Sequence, residues 1–383
     1  MRPGWAEVDL SAIAHNVEVL RAAVAPARLC AVVKADGYGH GAVEVARAAL
    51  AAGADWLAVA MVEEGRALCQ AGIEAPTLVL SEPPAEDLAE AVALRLVPAV
   101  YTHDGVEGIA KAVAMGAGQR APYPVHLKVD TGMHRAGADP GDAVNLARQV
   151  SDRPELCLAG LWTHCAMADQ PDDPFTQEQL GRFTVVAKQL EAAGLHPPLR
   201  HAANSAVAIA HPAGRFDLVR CGIAVYGIAP SPALAGHLPL RPALSLKAAV
   251  SQVRSVAAGE GASYGLIRRF DGPTTLATVP LGYADGVRRA LSFTGGEVLI
   301  GGRRRPLAGA VSMDQIVVDC GDDSTVRAGD EVVLIGRQGD EEVTVDEWAD
   351  RLDTIGYEVV CGIGARVPIR YRNGPHHHPE ETT

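Results

Sequence analysis

Eight times between residues 29 and 222 a short apolar run ends in polar residues and gives way to a stretch with helical spacing. The runs are LCAVVK (29–34), WLAVAM (56–61), TLVLS (77–81), VPAVY (97–101), VHLKVD (125–130), CLAGLWTH (157–164), LRHAAN (199–204) and DLVRCG (217–222). Their Val, Leu and Ala residues follow one another without alternation, the pattern of strands covered on both faces in a parallel sheet. In one intervening segment Leu180, Phe183, Val186 and Leu190 recur three or four apart on a single helical face. Asp173 before Pro174 reads as its N-cap with proline in the first turn, and Gly194 as its stop. Eight strand-then-helix units predict an α/β barrel, a TIM-like (β/α)8 fold over residues 10–235. A doubly wound sheet is the rival, but no G-x-G-x-x-G follows the first run.

After about residue 235 the texture changes. A proline-rich linker, PSPALAGHLPLRP (230–242), leads into short strand-like runs with glycine turns: ALSLKAAVSQVRSV, TTLATVPLGY, GEVLI, QIVVDC and EVVLIG. These predict a mainly-β second domain built from residues 1–9 plus 236–372. Thr344 and Glu347 form a capping box on its one helix, with Gly356 closing that helix. Residues 373–383, ending in HHHPEETT, are expected to be a disordered tail. A length of 383 residues suits two domains, and 48% hydrophobic against 21% charged residues is globular composition.

The balance of 34 Lys+Arg against 46 Asp+Glu gives a formal charge of −12, which argues against non-specific nucleic-acid binding. Arg303, Arg304 and Arg305 form the one short basic cluster, read as an exposed loop. Seven scattered cysteines without a C-x-x-C pair fit a reducing compartment. No secretory leader or apolar membrane span is apparent, so a cytoplasmic location is expected. His15, His103, His196, His211 and His237 fit no metal-ligand spacing, and no metal site is expected. No G-x-S-x-G elbow supports serine hydrolysis.

The barrel runs end in residues unusual for a hydrophobic strand. The first ends in Lys34. The fifth carries Lys128 and Asp130 and leads to Arg135, the sixth ends in His164, and the seventh leads through His201 to Asn204 and Ser205. The eighth carries Arg220 and leads to Gly222 and Ile223. In this fold reactive groups gather at those strand ends. A desolvated strand-end lysine forms Schiff bases. The segments around Tyr38–Gly41, Asn204–Ser205 and Gly222–Ile223 offer backbone N–H groups where phosphate binds. Together these point to pyridoxal phosphate or a phosphorylated ketose, and the residues alone leave both open.

The segment AVVKADGYGHG (31–41) closely resembles the cofactor-lysine motif of bacterial alanine racemases, pyridoxal 5'-phosphate enzymes of fold type III. HLKVDTGMHRAG (126–137), WTHCAMAD (162–169), HAANSA (201–206) and VRCGIAVYGIAPS (219–231) are similar to the family in order and spacing. So are SYG (263–265), GYADG (282–286), SMDQ (312–315) and IGYEVVCGIGARVP (355–368), and the resemblance runs from residue 5 to about 370. The resemblance implies interconversion of L- and D-alanine, supplying D-alanine for peptidoglycan, by a homodimer with shared active sites.

By that resemblance Lys34 holds the cofactor and acts as one of two acid/base groups. Tyr264, from the β domain of a second subunit, is the other, on the opposite face of the substrate. A free tyrosine, with a pKa of ~10, needs positive charge or hydrogen bonds to act as a base. The family supplies them through a chain from the tyrosine by way of His164 to Arg220 and His201. Arg220 faces the pyridine nitrogen, while Tyr38, Asn204, Ser205, Gly222, Ile223 and Tyr357 complete the cofactor site. Arg135 and the Met313 backbone receive the substrate carboxylate. Lys128, often a carbamate in the family, braces Arg135. Asp169, Tyr283 and Asp314 line a narrow entryway. Asp36-Gly37 and Gly364-Ala365 depart from the usual pattern and bear on substrate range. The alternatives are a racemase of broader range acting on serine or basic amino acids, a decarboxylase dependent on the same cofactor, and a cofactor-carrier protein.

Overall fold

The computed structural model describes residues 3–116 and 122–374. The tail expected over 373–383 lies outside the described residues from 375 onward. The chain divides into two compact units, one of residues 12–37 and 42–241, the other of the segments before residue 12, Tyr38–Gly41 and from Pro242 onward.

The N-terminal strand β1 (Gly4–Asp9) belongs to the second unit. The first unit is the barrel. Its strands are β2 (Arg28–Val32), β3 (Trp56–Val59), β4 (Thr77–Val79), β5 (Val97–Val100), β6 (Tyr123–Lys128), β7 (Leu156–Trp162), β8 (Leu199–His201) and β9 (Leu218–Cys221). They lie in sequence order around one sheet, with β9 beside β2, and every pairing is parallel. The seam between β8 and β9 closes through Asp217 N–H to the Arg200 carbonyl and Arg220 N–H to the Ala203 carbonyl, both 2.9 Å. All eight apolar runs are barrel strands, and their continuous hydrophobicity follows from burial on both faces. The helix Phe175–Ala192 buries Leu180, Phe183, Val186 and Leu190, as their spacing predicts. It starts just after Pro174, and Asp173 accepts the Phe175 N–H at 2.8 Å.

The second unit carries β10 (Leu244–Ala249), β11 (Gln252–Val256), β12 (Thr274–Val279), β13 (Glu297–Ile300), β14 (Arg303–Pro306), β15 (Ile316–Asp319), β16 (Glu331–Gln338), β17 (Glu341–Val343) and β18 (Ile369–Arg372). One sheet runs β14-β13-β16-β10-β1-β18, and a smaller one β11-β12-β15. The chain's first strand sits inside the larger sheet, antiparallel to β10 and parallel to β18.

Arg303, Arg304 and Arg305 form β14 rather than an exposed loop. Arg304 is ion-paired with Glu297, Glu341 and Glu347, and Arg305 with Asp323. A basic run survives in a strand because each guanidinium finds a carboxylate. The capping box is only half made. Thr344 accepts the Glu347 N–H at 3.0 Å, but the Glu347 carboxylate holds Arg304 and Arg351 instead of returning to the cap. Charge-assisted bonds to two guanidinium groups outcompete one backbone N–H. That helix, Val345–Leu352, closes on Asp353 in the left-handed region, and Gly356 opens the next helix, Gly356–Cys361.

Candidate active site

The segment that carries Lys34 is a turn of left-handed helix. Residues 35–39 all have φ between +49° and +78°. Such a conformation costs roughly 1–2 kcal/mol for each non-glycine residue, here Ala35, Asp36 and Tyr38. Specific bonds offset it. Ala35 N–H donates to Glu64 at 2.6 Å, Gly37 N–H to the Val33 carbonyl at 2.9 Å, and the Asp36 carboxylate accepts the Ala42 N–H at 2.8 Å. The other Glu64 oxygen takes the Ala60 and Met61 N–H groups at 2.7 and 3.2 Å. Glu64 therefore ties the end of β3 to the start of the lysine turn. Strain held in place this way marks a functional segment. The Asp36-Gly37 pair suits it, because these residues tolerate the left-handed region better than most.

Arg220, on β9, is buried at the same end of the barrel. Its guanidinium donates to His201 Nδ1 at 2.8 Å, to the Thr163 carbonyl at 2.9 Å, and to His164 Nδ1 and the Ala202 carbonyl at 3.3 Å. It also lies over the Trp162 ring at 4.6 Å. Burial lowers its pKa to about 10, so it stays charged at neutral pH. Among the described residues no carboxylate pairs with it, and its Nε–H remains for a ligand acceptor. His164 and His201 are driven well below the usual histidine range, first by burial and then by the Arg220 charge. Both rings are neutral, and each accepts from Arg220 through Nδ1.

Lys128, on β6, is buried with its ammonium 4.7 Å from the Trp162 ring centre. Burial first, then Arg135 and Arg220, lowers its pKa to about 8. Arg135 follows a loop caged by Asp130, which accepts N–H bonds from Gly132, Met133 and His134 at 2.8, 3.0 and 3.1 Å. Burial pulls the Asp130 pKa upward, but those donors pull harder, and it lies below the ordinary value. Lys34, Lys128, Arg135 and Arg220 thus concentrate positive charge at one rim of a chain with net charge −12. Beside them Ser205 Oγ accepts from Gly222 N–H at 3.0 Å and Ala224 N–H at 3.4 Å, and Asn204 caps Val207 N–H at 2.9 Å. This joins the starts of two short helices, Ser205–Ala210 and Ile223–Tyr226, whose first N–H groups have no intrahelical acceptor. Asp169 is exposed in the same unit, its carbonyl accepting from Ser231 at 2.6 Å.

The remaining candidates lie in the β unit. Tyr38 is buried with its ring centre 6.2 Å from that of Tyr357. Tyr264, Met313 and Asp314 line one open cavity of about 590 Å³. Tyr283 N–H donates to the Ser312 carbonyl at 2.9 Å, and Asp314 pairs with Arg366 at 2.7 Å. Tyr264 is 76% exposed and Met313 53% exposed. The sequence reading assigned no role to Glu64 or to His126, whose Nδ1 lies 2.9 Å from His201 Nε2. The signal for His126 was its spacing of two from Lys128 on one strand, which puts both on the same face.

The family model for the alanine racemase N-terminal domain matches residues 8–230, and that for the C-terminal domain matches residues 243–371. The chain belongs to the alanine racemase family. Family members are isomerases, and the likeness extends over the full length. The alanine racemase of Symbiobacterium thermophilum is 48% identical over 97% of this chain and 97% of its own. That of Thermobifida fusca is 46% identical over 96% of this chain and 97% of its own. Among solved structures, alanine racemase from D-cycloserine-producing Streptomyces lavendulae superposes with a TM-score of 0.92 at 40% identity, covering 99% of this chain and 100% of the other. The Bacillus anthracis alanine racemase with bound L-Ala-P gives 0.90 at 37% identity, covering 98% and 96%. These family members share the barrel and the mainly-β unit.

Proposed function

We propose that this protein interconverts L- and D-alanine with pyridoxal 5'-phosphate, supplying D-alanine for peptidoglycan in the cytoplasm. The observation that carries this reading is Arg220, a buried cation held by two neutral histidines and two carbonyls, with donors to spare. Arg220 would donate a hydrogen bond to a ring nitrogen and keep its own proton, since a guanidinium does not give it up, so that nitrogen would be left unprotonated. A decarboxylase acting through the same cofactor would want an acid at that place. The linked starts of two short helices, with Ser205, Gly222 and Ile223, suit a phosphate, and Tyr38 and Tyr357 would complete its site. The cofactor, when bound, supplies the electron withdrawal that makes the substrate α-proton acidic.

Lys34 holds that group through its amine and moves a proton on one face of the substrate. Tyr264 does so on the other, from the β unit of a second copy of the chain. His164, accepting from Arg220 at Nδ1, carries its ring proton on Nε2 and can donate toward the tyrosine oxygen. Arg135 and the Met313 backbone receive the substrate carboxylate. Tyr283, Asp314 and Asp169 would line the way in, as the family resemblance implies, and a narrow entry would favour a methyl side chain. The exposed apolar residues beside Tyr264, namely Leu266, Ile267 and Met313, make that face suitable for a subunit interface.

The cofactor-loaded protein is expected to convert L-alanine to D-alanine roughly tenfold or more faster than it racemises serine or lysine. No racemisation, with cofactor bound, would move the assignment to a carrier or decarboxylase, and equal rates would favour a racemase of broad range.

Mixing Lys34→Ala and Tyr264→Ala chains tests the shared site. In a mixed dimer one of two sites is intact, and random exchange makes half the dimers mixed, so about a quarter of the wild-type activity should return. No return in proven heterodimers would place both groups on one subunit.

Lys128 offers a third test. With a pKa of about 8, roughly a tenth of its amine is neutral at pH 7. The neutral amine adds to carbon dioxide with loss of a proton, leaving an anionic carbamate suited to Arg135. Labelled bicarbonate should give one carbamate carbon resonance that Lys128→Ala removes. A wild-type spectrum without it would leave Lys128 as an amine.

A further inference from the structure

We propose that His126 is a positioning residue for Arg220, acting through His201, and that it fixes the donors Arg220 offers to the cofactor ring. This rests on the racemase reading for its consequence, but not for its geometry. A guanidinium has only donors, so His201 Nδ1, 2.8 Å from Arg220, must accept. His201 is neutral, and its one ring proton therefore sits on Nε2. That nitrogen is 2.9 Å from His126 Nδ1, which must accept in turn. Burial, and then the Arg220 charge, hold His126 neutral with a pKa of about 3, and since Nδ1 accepts, its one proton sits on Nε2, which is buried with no partner among the described residues. Both bonds run outward from Arg220. Reversing either would set two N–H groups, or two lone pairs, against each other.

The surroundings hold this chain in place. His126 and His201 are fully buried. The Trp162 ring lies flat against His201, with centres 5.5 Å apart and planes 8° apart, and Trp56 lies 5.5 Å from His126. The β6–β7 register shifts between Val125 and His126, which places Gly160 opposite the ring. A Cβ at Gly160 would stand 2.5 Å from His126 Nδ1, so β7 leaves a gap where the imidazole sits. Without an acceptor at residue 126, the His201 N–H is buried and unpaired. A ring flip of His201 relieves that, and it takes the acceptor away from Arg220. A histidine that merely filled space would be replaceable by leucine.

The test compares His126→Leu, which fills the space without an acceptor, with His126→Asn, whose Oδ1 takes the place of Nδ1. Nitrogen-15 NMR of the cofactor-loaded protein reads which ring nitrogen of His201 carries the proton. The expected result is Nε2 in the wild type and in His126→Asn, and a mixed or Nδ1-protonated state in His126→Leu. The leucine variant should lose at least about tenfold in kcat with KM little changed, and the asparagine variant should recover most of it. Protonation at Nδ1 of His201 in the wild type, or a leucine variant matching wild type in both readouts, would overturn the proposal. If the leucine variant does not fold, the wild-type tautomer and the asparagine variant still decide. A wild type that shows the expected tautomers but racemises nothing would sink the functional reading and leave the positioning intact.

Discussion

Lys34→Ala is expected to abolish racemisation, by about 10³-fold or more, and to remove the visible absorbance of lysine-bound cofactor. On the proposed reading two roles are lost together, since the amine would both hold the cofactor and move a proton. The fold should persist. Lys34 is half-buried, and the left-handed turn behind it is held by bonds to Glu64, Val33 and Ala42. Loss of stability should stay within about 3 kcal/mol, the ordinary range for a single substitution. Added methylamine, small enough to enter the vacated space, should restore part of the proton transfer. A variant with an unchanged spectrum would show that another amine carries the cofactor.

The barrel was legible in the sequence because its strands are covered on both faces, and eight continuous apolar runs have few other uses. The strand-end chemistry was legible for the same reason. A lysine or arginine closing a run such as LCAVVK or DLVRCG stands out against its neighbours. Less visible was anything set by contacts distant in sequence. Arg303–Arg305 reads as a loop until Glu297, Glu347 and Asp323 are seen around it. Glu347 looks like half of a capping box until Arg304 and Arg351 claim it. The left-handed turn has no periodic signature, since only its Asp and Gly hint at positive φ. Glu64 sits in an ordinary helical segment, and its role appears only when Ala35 arrives beside it. His126 lay in plain sight within HLKVDTG, but its partner His201 is two strands away, and nothing local shows which nitrogen accepts.

Replacing Arg220 should have the largest combined effect on fold and chemistry. Arg220→Glu sets a carboxylate against His201 Nδ1 and the Thr163 and Ala202 carbonyls, all acceptors as the chain stands. Removing one partner from a buried charged network costs roughly 3–5 kcal/mol. For a unit of this size each kcal/mol lowers Tm by roughly 2–4 °C. The chemistry should change in kind as well. On the proposed reading an acid at residue 220 would protonate the ring nitrogen, strengthen the electron withdrawal, and open transamination of alanine to pyruvate. Arg220→Lys separates the two effects. It keeps the positive charge but loses the planar fork that serves His201 and Thr163 at once, and the stack on Trp162. The lysine variant should therefore fold, racemise more slowly by at least about tenfold, and make no pyruvate. The glutamate variant should melt earlier and make pyruvate during turnover. If racemisation and pyruvate are the same in both variants and the wild type, Arg220 does not face the ring, and the neutral histidines around it serve the barrel rather than the reaction.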